Sequence, residues 1–194
     1  MIIQNATYWK SFEKYNQIPL DECFEVVFAG RSNAGKSSAI NALTNQKKLA
    51  HVSKLPGRTR LLNFFSVGDG RFIVDLPGYG YAKVPQRVRR DWPEMIEGYL
   101  LDRETLVMVF VLVDGAIGPT PLDAQMLDWL RENEIPHTVV ATKSDKVKSS
   151  KRPARKRDLA EGCQLDPGDV GWVSSTKGDG IERLRDLVRL HLAG

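Results

Sequence analysis

A chain of 194 residues, 42% hydrophobic and 27% charged, is long enough for one sizeable core and short for two domains. Its longest strongly apolar run, Leu106 to Val113, has eight residues, against the ~20 that a bilayer-spanning helix needs, which excludes a membrane segment on the sequence. Net charge is only +4, so whatever basicity matters is local. The opening residues carry no charged leader followed by an apolar core, so the reading is a cytoplasmic protein with Cys23 and Cys163 reduced and structural. Two cysteines and three histidines lie too far apart for metal-site spacing.

Residues 1–22 carry few signals and are read as an appendage packed on a domain over residues 23–194. The apolar stretch Val26-Val27-Phe28-Ala29 predicts a strand and Ser38 to Leu43 a helix. Between them lies Gly30-Arg31-Ser32-Asn33-Ala34-Gly35-Lys36-Ser37. Glycines at both ends let such a loop curl until its backbone N–H groups point inward, and the helix N-terminus adds partial positive charge. The G-x-x-x-x-G-K-S pattern in this strand-to-helix context implies a nucleoside triphosphate, with Lys36 reaching the β- and γ-phosphates and Ser37 on Mg²⁺. Gln46 to Arg58 is polar and basic, and Pro56-Gly57-Arg58-Thr59 is turn-prone. Thr59 is the choice for a second hydroxyl on Mg²⁺; Ser53 also carries a hydroxyl, and Thr44 sits on the helix, pointing away.

Leu61 to Val67 and Arg71 to Val74 flank Gly68-Asp69-Gly70 and predict an antiparallel hairpin. Asp75-Leu76-Pro77-Gly78 follows, placing a carboxylate to hold a Mg²⁺-bound water and a Gly78 N–H to meet the γ-phosphate. Val84, Val88, Trp92, Ile96 and Tyr99 fall at helical spacing broken by Pro93, on a segment that carries Arg87, Arg89 and Arg90. Leu106 to Val113 suits a central parallel strand. Thr120-Pro121-Leu122-Asp123 reads as a capped helix start, with Leu122, Met126, Trp129 and Leu130 as its core stripe. His137 to Ala141 predicts a strand whose end carries Thr142-Lys143-Ser144-Asp145, about 105 residues after the phosphate loop. A carboxylate at Asp145 accepts from the N1–H and N2–H₂ of guanine, donors that adenine lacks there, while the Lys143 stem lies over the purine. Lys146, Lys148, Lys151, Arg152, Arg155, Lys156 and Arg157 then crowd one segment. They read either as a solvated face or as a contact for RNA phosphates, without aromatic residues for base stacking. After the strand Val170 to Val173, Ser174-Ser175-Thr176 would close over the guanine, the Ser175 N–H meeting O6. Asp179 and Glu182 open a last helix with Ile181, Leu184, Val188 and Leu192 facing inward. The expected fold is α/β, three layers, with a six-stranded and mostly parallel sheet, one antiparallel hairpin strand at its edge, and the nucleotide at the carboxyl ends of the strands.

Taken together, these motifs in this order resemble the small GTPase (P-loop, G-domain) fold. Gly30 through Ser38, Pro56-Gly57-Arg58-Thr59, Asp75-Leu76-Pro77-Gly78-Tyr79-Gly80-Tyr81-Ala82 and Thr142-Lys143-Ser144-Asp145-Lys146 are similar to the EngB family, also called YihA or YsxC. The resemblance implies GTP/GDP and Mg²⁺ as ligands, with Ser37, Thr59 and Asp75 on the metal and Lys36, Thr59 and Gly78 nearest the hydrolytic chemistry. It also implies a role in assembly of the large ribosomal subunit and, through it, in cell division and septation. Contacts to the subunit precursor and its rRNA would fall on Arg87, Arg89, Arg90 and Lys146 to Arg157, with the chain acting as a monomer. The alternatives are a GTPase serving a non-ribosomal RNA-modification or division complex, and a nucleotide-bound RNA-binding module. The family's last motif commonly reads Ser-Ser-Leu-Lys; Thr176 replaces the leucine here. Ras-like enzymes carry glutamine after the glycine of this motif, whereas this chain has Tyr79, so slow turnover stimulated by a partner is expected. Asn33 resembles the P-loop asparagine of potassium-stimulated GTPases, implying K⁺; its other reading is a loop-stabilising amide.

Overall fold

In the computed structural model, residues 2–19, 23–51, 61–79 and 95–193 are described. The strands are β1 (Thr7–Phe12), β2 (Phe24–Gly30), β3 (Leu62–Gly68), β4 (Arg71–Asp75), β5 (Leu106–Asp114), β6 (His137–Thr142) and β7 (Gly171–Trp172). They form one sheet in the order β1-β3-β4-β2-β5-β6-β7. Pairings from β4 through β7 are parallel, and β3 runs antiparallel to both β4 and β1. The helices are α1 (Lys36–Leu43), α2 over 95–102, α3 (Pro121–Glu132), α4 (Arg152–Gly162) and α5 (Ile181–Leu192).

Helices cover both faces of the sheet, which is why its central strands read as unbroken apolar runs rather than as alternations. Along β2 and β5, Val27, Val109, Val111 and Val113 turn toward Ile96, Tyr99, Leu127, Leu130 and Leu159 of α2, α3 and α4. Val26, Phe28, Phe110 and Leu112 turn the other way, onto Ile40 and Leu43 of α1 and Leu184, Val188 and Leu192 of α5. Strand periodicity of two sends successive side chains to opposite layers, so a three-layer α/β domain results.

The predicted hairpin is present, turned by Asp69 and Gly70 with φ of 51° and 67°. It does not lie at the edge. Six strands were expected and seven are found among the described residues, because Thr7–Phe12 pairs along β3 and takes the edge position. The physical reason is the open backbone edge of β3, which captures a β-prone segment rich in aromatic residues; Trp9 packs its ring on Phe64 and Phe72 at 5.9 and 5.0 Å. The α3 cap also forms as expected, with Thr120 and Asp123 in a reciprocal capping box and Pro121 at N1. Its core stripe is rotated from the expected one: Asp123, Leu127 and Leu130 are buried, Met126 and Trp129 pack partly against them, and Leu122 is exposed. In α5 the four predicted residues are buried, but the N-cap is Gly180 at φ 71°, with no side-chain cap.

Candidate functional site

The loop after β2 is shaped by close packing and positive φ angles. A Cβ at Gly30 would stand 2.6 Å from the Leu112 carbonyl oxygen of β5, so only glycine lets the strand end pass there. Asn33 and Gly35 adopt φ of 64° and 99°, which turns the chain directly into the first turn of α1. That turn carries Lys36, Ser37 and Ser38. Lys36 is largely buried, its Nζ 3.9 Å from Asp75 Oδ1, and the Ser37 hydroxyl donates to Asp75 Oδ2 at 3.4 Å.

Asp75 ends β4 beside β2 and is buried. Burial pushes its carboxyl above the usual carboxylate range, with the Lys36 ammonium pulling the other way. Among the described residues its Oδ1 has no hydrogen-bond partner. A buried carboxylate oxygen left unpaired next to a serine hydroxyl and an ammonium is costly unless something cationic or a bound water meets it, which fits Mg²⁺ chemistry. Leu76 and Pro77 are buried, Leu76 within the core; their contribution is to deliver Gly78 to the loop. A Cβ at Gly78 would lie 3.0 Å from both Ser32 N and Ser32 Cα and 3.2 Å from Lys36 Nζ, so the glycine presses directly on the cradle.

The second half of the site hangs from the end of β6. Thr142 is buried and its hydroxyl donates to the Ala34 carbonyl at 2.5 Å, tying the strand end to the phosphate loop. Lys143, at φ 55°, reaches back along the same loop: its Nζ donates to Asn33 O at 2.7 Å and to Asp114 Oδ2 at 2.6 Å. With its charge held at both sides, its aliphatic stem is fixed as a platform. The Ser144 N–H donates to Val173 O at 3.1 Å, and the Ser174 hydroxyl donates to Asp145 Oδ1 at 2.7 Å. That hydroxyl holds the Asp145 carboxyl below the usual range, so the group stays ionised at neutral pH. Ser175 and Thr176 follow on the rim, half-buried and exposed.

Thus Gly30 to Ser38, Asp75 to Gly78, Thr142 to Asp145 and Ser174 to Thr176 converge from four strand ends, whereas Gly57, Arg58 and Thr59 lie outside the described residues, as do Arg87, Arg89 and Arg90. Most of the basic segment Lys146 to Arg157 is exposed next to the reader; Arg155 is half-buried and donates to Ile117 O at 3.3 Å. Sequence reasoning missed Asp114 and the hydroxyl of Ser174. Asp114 was visible as the one charge closing an apolar strand, a place where strand ends meet ligands. Among the described residues no helix is long and apolar enough to cross a membrane.

A family model described as 50S ribosome-binding GTPase matches residues 25–143. The probable GTP-binding protein EngB of Clostridium beijerinckii is 44% identical over 194 residues, covering 100% of this chain and 98% of that one. The chain belongs to the EngB family of GTP-binding proteins. The EngB protein of Azoarcus sp. is 44% identical over 192 residues, 96% of this chain and 91% of its own. A crystal structure of a probable GTP-binding protein engB superposes with a TM-score of 0.70 at 28% identity, covering 87% of this chain and 98% of that one. Era from Aquifex aeolicus, bound to GDP and aluminium fluoride, shares the fold with a TM-score of 0.68 at 22% identity, over 87% of this chain and 56% of its own. As an EngB protein and member of a GTPase family, the chain binds GTP.

Proposed function

We propose that this EngB protein is a slow GTPase that acts as a GTP-operated switch in assembly of the large ribosomal subunit, with cell division and septation depending on it downstream. The observation that carries the GTPase half is the orphaned Asp75 Oδ1 facing Ser37 and Lys36, with Gly78 pressed on the same loop. The ribosomal half is supported by the description of the matching family and by the exposed basic segment beside the purine reader.

In this reading the N–H groups of Gly35 to Ser37 and the Lys36 ammonium bind the phosphate chain, and the Gly78 N–H orients the γ-phosphate. Ser37, Asp75 and Thr59 would hold Mg²⁺, which supplies charge neutralisation across the β- and γ-phosphate oxygens. Asp145 selects guanine and Lys143 supports its ring. Tyr79, the residue after Gly78, offers no side-chain amide to align the attacking water, so turnover is slow until a partner, or K⁺ held with the help of Asn33, completes the site. Arg87, Arg89, Arg90 and Lys146 to Arg157 contact rRNA phosphates, and the chain works as a cytoplasmic monomer.

Sedimentation of the protein with ribosomal particles, in GTP, GDP and a non-hydrolysable analogue at two salt concentrations, tests this. Nucleotide-dependent and salt-sensitive association with large-subunit particles is expected; absence from every particle fraction in all states moves the activity to a non-ribosomal complex. GTP turnover in K⁺ against Na⁺ tests the cation, and equal rates remove it.

A further inference from the structure

The residue standing where a water-aligning glutamine sits in Ras-like enzymes is Tyr79, and its side chain is turned away from that task. Tyr79 is 8% exposed. Its hydroxyl donates to Asp123 Oδ1 at 2.9 Å, deep against the start of α3. Its backbone is held from the opposite side: the Ser32 N–H donates to Tyr79 O at 2.9 Å, and Arg31 and Tyr79 pair as an isolated parallel bridge. Tyr79 is thus fixed through both its side chain and its carbonyl, and the preceding residue, Gly78, lies against Ser32 and Lys36 Nζ.

Asp123 is itself held through its second oxygen. It is buried, and its Oδ2 accepts from the Thr120 N–H and the Thr120 hydroxyl, both at 2.8 Å, in the α3 capping box. The phenol therefore ends on a carboxylate built into the frame of the domain. Burial first, and then the charge of Asp123, push the phenol far up, so it remains a donor at every physiological pH. A hydrogen bond from a buried neutral donor to a fixed carboxylate is among the stronger kinds.

We propose that Tyr79 is a positioning residue for GTP: locked between Asp123 and Ser32, it anchors the residue next to Gly78 and so holds the Gly78 N–H at the phosphate loop, aimed at the γ-phosphate. This rests on the reading that Gly78 meets the γ-phosphate. It also gives Asp123, a carboxylate buried in the core stripe of α3, a task there besides capping.

The test is Tyr79→Phe, which removes one oxygen and keeps the ring. GTP affinity is expected to fall about tenfold while GDP affinity stays within about twofold, because only the γ-phosphate uses Gly78. Equal losses for both nucleotides mark the phenol as merely structural and overturn the proposal, as does an unchanged ratio of the two affinities. Hydrogen exchange on the unmutated chain supplies a check that needs no variant. The Ser32 N–H should exchange slowly with GDP bound and with a GTP analogue bound; free exchange in either state overturns the lock. If instead Ser32 is protected and the Gly78 amide is indifferent to the terminal phosphate, the Gly78 reading falls and the positioning role falls with it.

Discussion

Asp145→Asn changes one atom type in the purine reader and tests the base assignment directly. The Asp145 side chain is only 11% exposed, its Oδ1 already takes the Ser174 hydroxyl at 2.7 Å, and that bond holds the carboxyl below its usual range. Guanine would add two charge-assisted bonds, from N1–H and N2–H₂, each contributing about 1.5–3 kcal/mol. With Ser174 still donating to the amide oxygen, the new NH₂ group faces those donors, so both bonds are lost together. The loss of about 3–6 kcal/mol corresponds to a hundredfold to ten-thousandfold weaker binding of GTP and GDP. A purine with a carbonyl at C2 accepts from the amide, so xanthosine triphosphate should gain on GTP in the variant. Equilibrium titration with fluorescent GTP, XTP and ATP measures all three. An Asp145→Asn protein that holds GTP within about threefold of the unmutated chain, or weakens equally for every base, refutes the assignment.

Thr142→Val keeps the shape of a buried side chain but leaves the Ala34 carbonyl without its 2.5 Å partner. GTP and GDP should weaken alike, by about tenfold, and the melting temperature should drop by about 2–4 °C for each kcal/mol lost; unchanged melting and unchanged affinities would remove the coupling between reader and loop. Ser174→Ala withdraws the hydroxyl that lowers the Asp145 pKa. A depressed carboxyl keeps its charge, and whatever depends on that charge, until pH falls through its own low pKa. Without Ser174 the pKa returns toward the ordinary range, and GTP affinity should begin to fall at a higher pH on the way from neutrality to about pH 4. Superimposable pH profiles for the two proteins would count against the bond.

The phosphate loop and the reader were legible because they rest on residue type and order. Glycines at fixed offsets, a lysine, a hydroxyl and a strand on one side describe a backbone shape almost without tertiary knowledge. What stayed hidden depends on partners far away in the chain. Asp123 looked like a capping residue, which it is, and its burial became visible only with Tyr79 placed on it; counting apolar residues alone put the α3 stripe on Leu122. Asp114 carried no local signal beyond its place at a strand end, because its role is defined by Lys143, which arrives from the next strand. The edge strand was missed for a related reason: a short segment rich in aromatic residues becomes a strand only when another strand's open edge is offered to it.

That added strand has a consequence for life in a crowded cell. Without Thr7–Phe12, β3 would present a row of unpaired backbone groups to any similar chain, an invitation to intermolecular β-pairing and insoluble material. The strand that covers it is poorly suited to propagate such pairing: its register slips between Tyr8 and Lys10, leaving Trp9 as an extra residue, and Lys10 stands exposed. Thr7–Phe12 thus covers, on a GTP-binding domain, an edge that would otherwise invite intermolecular pairing.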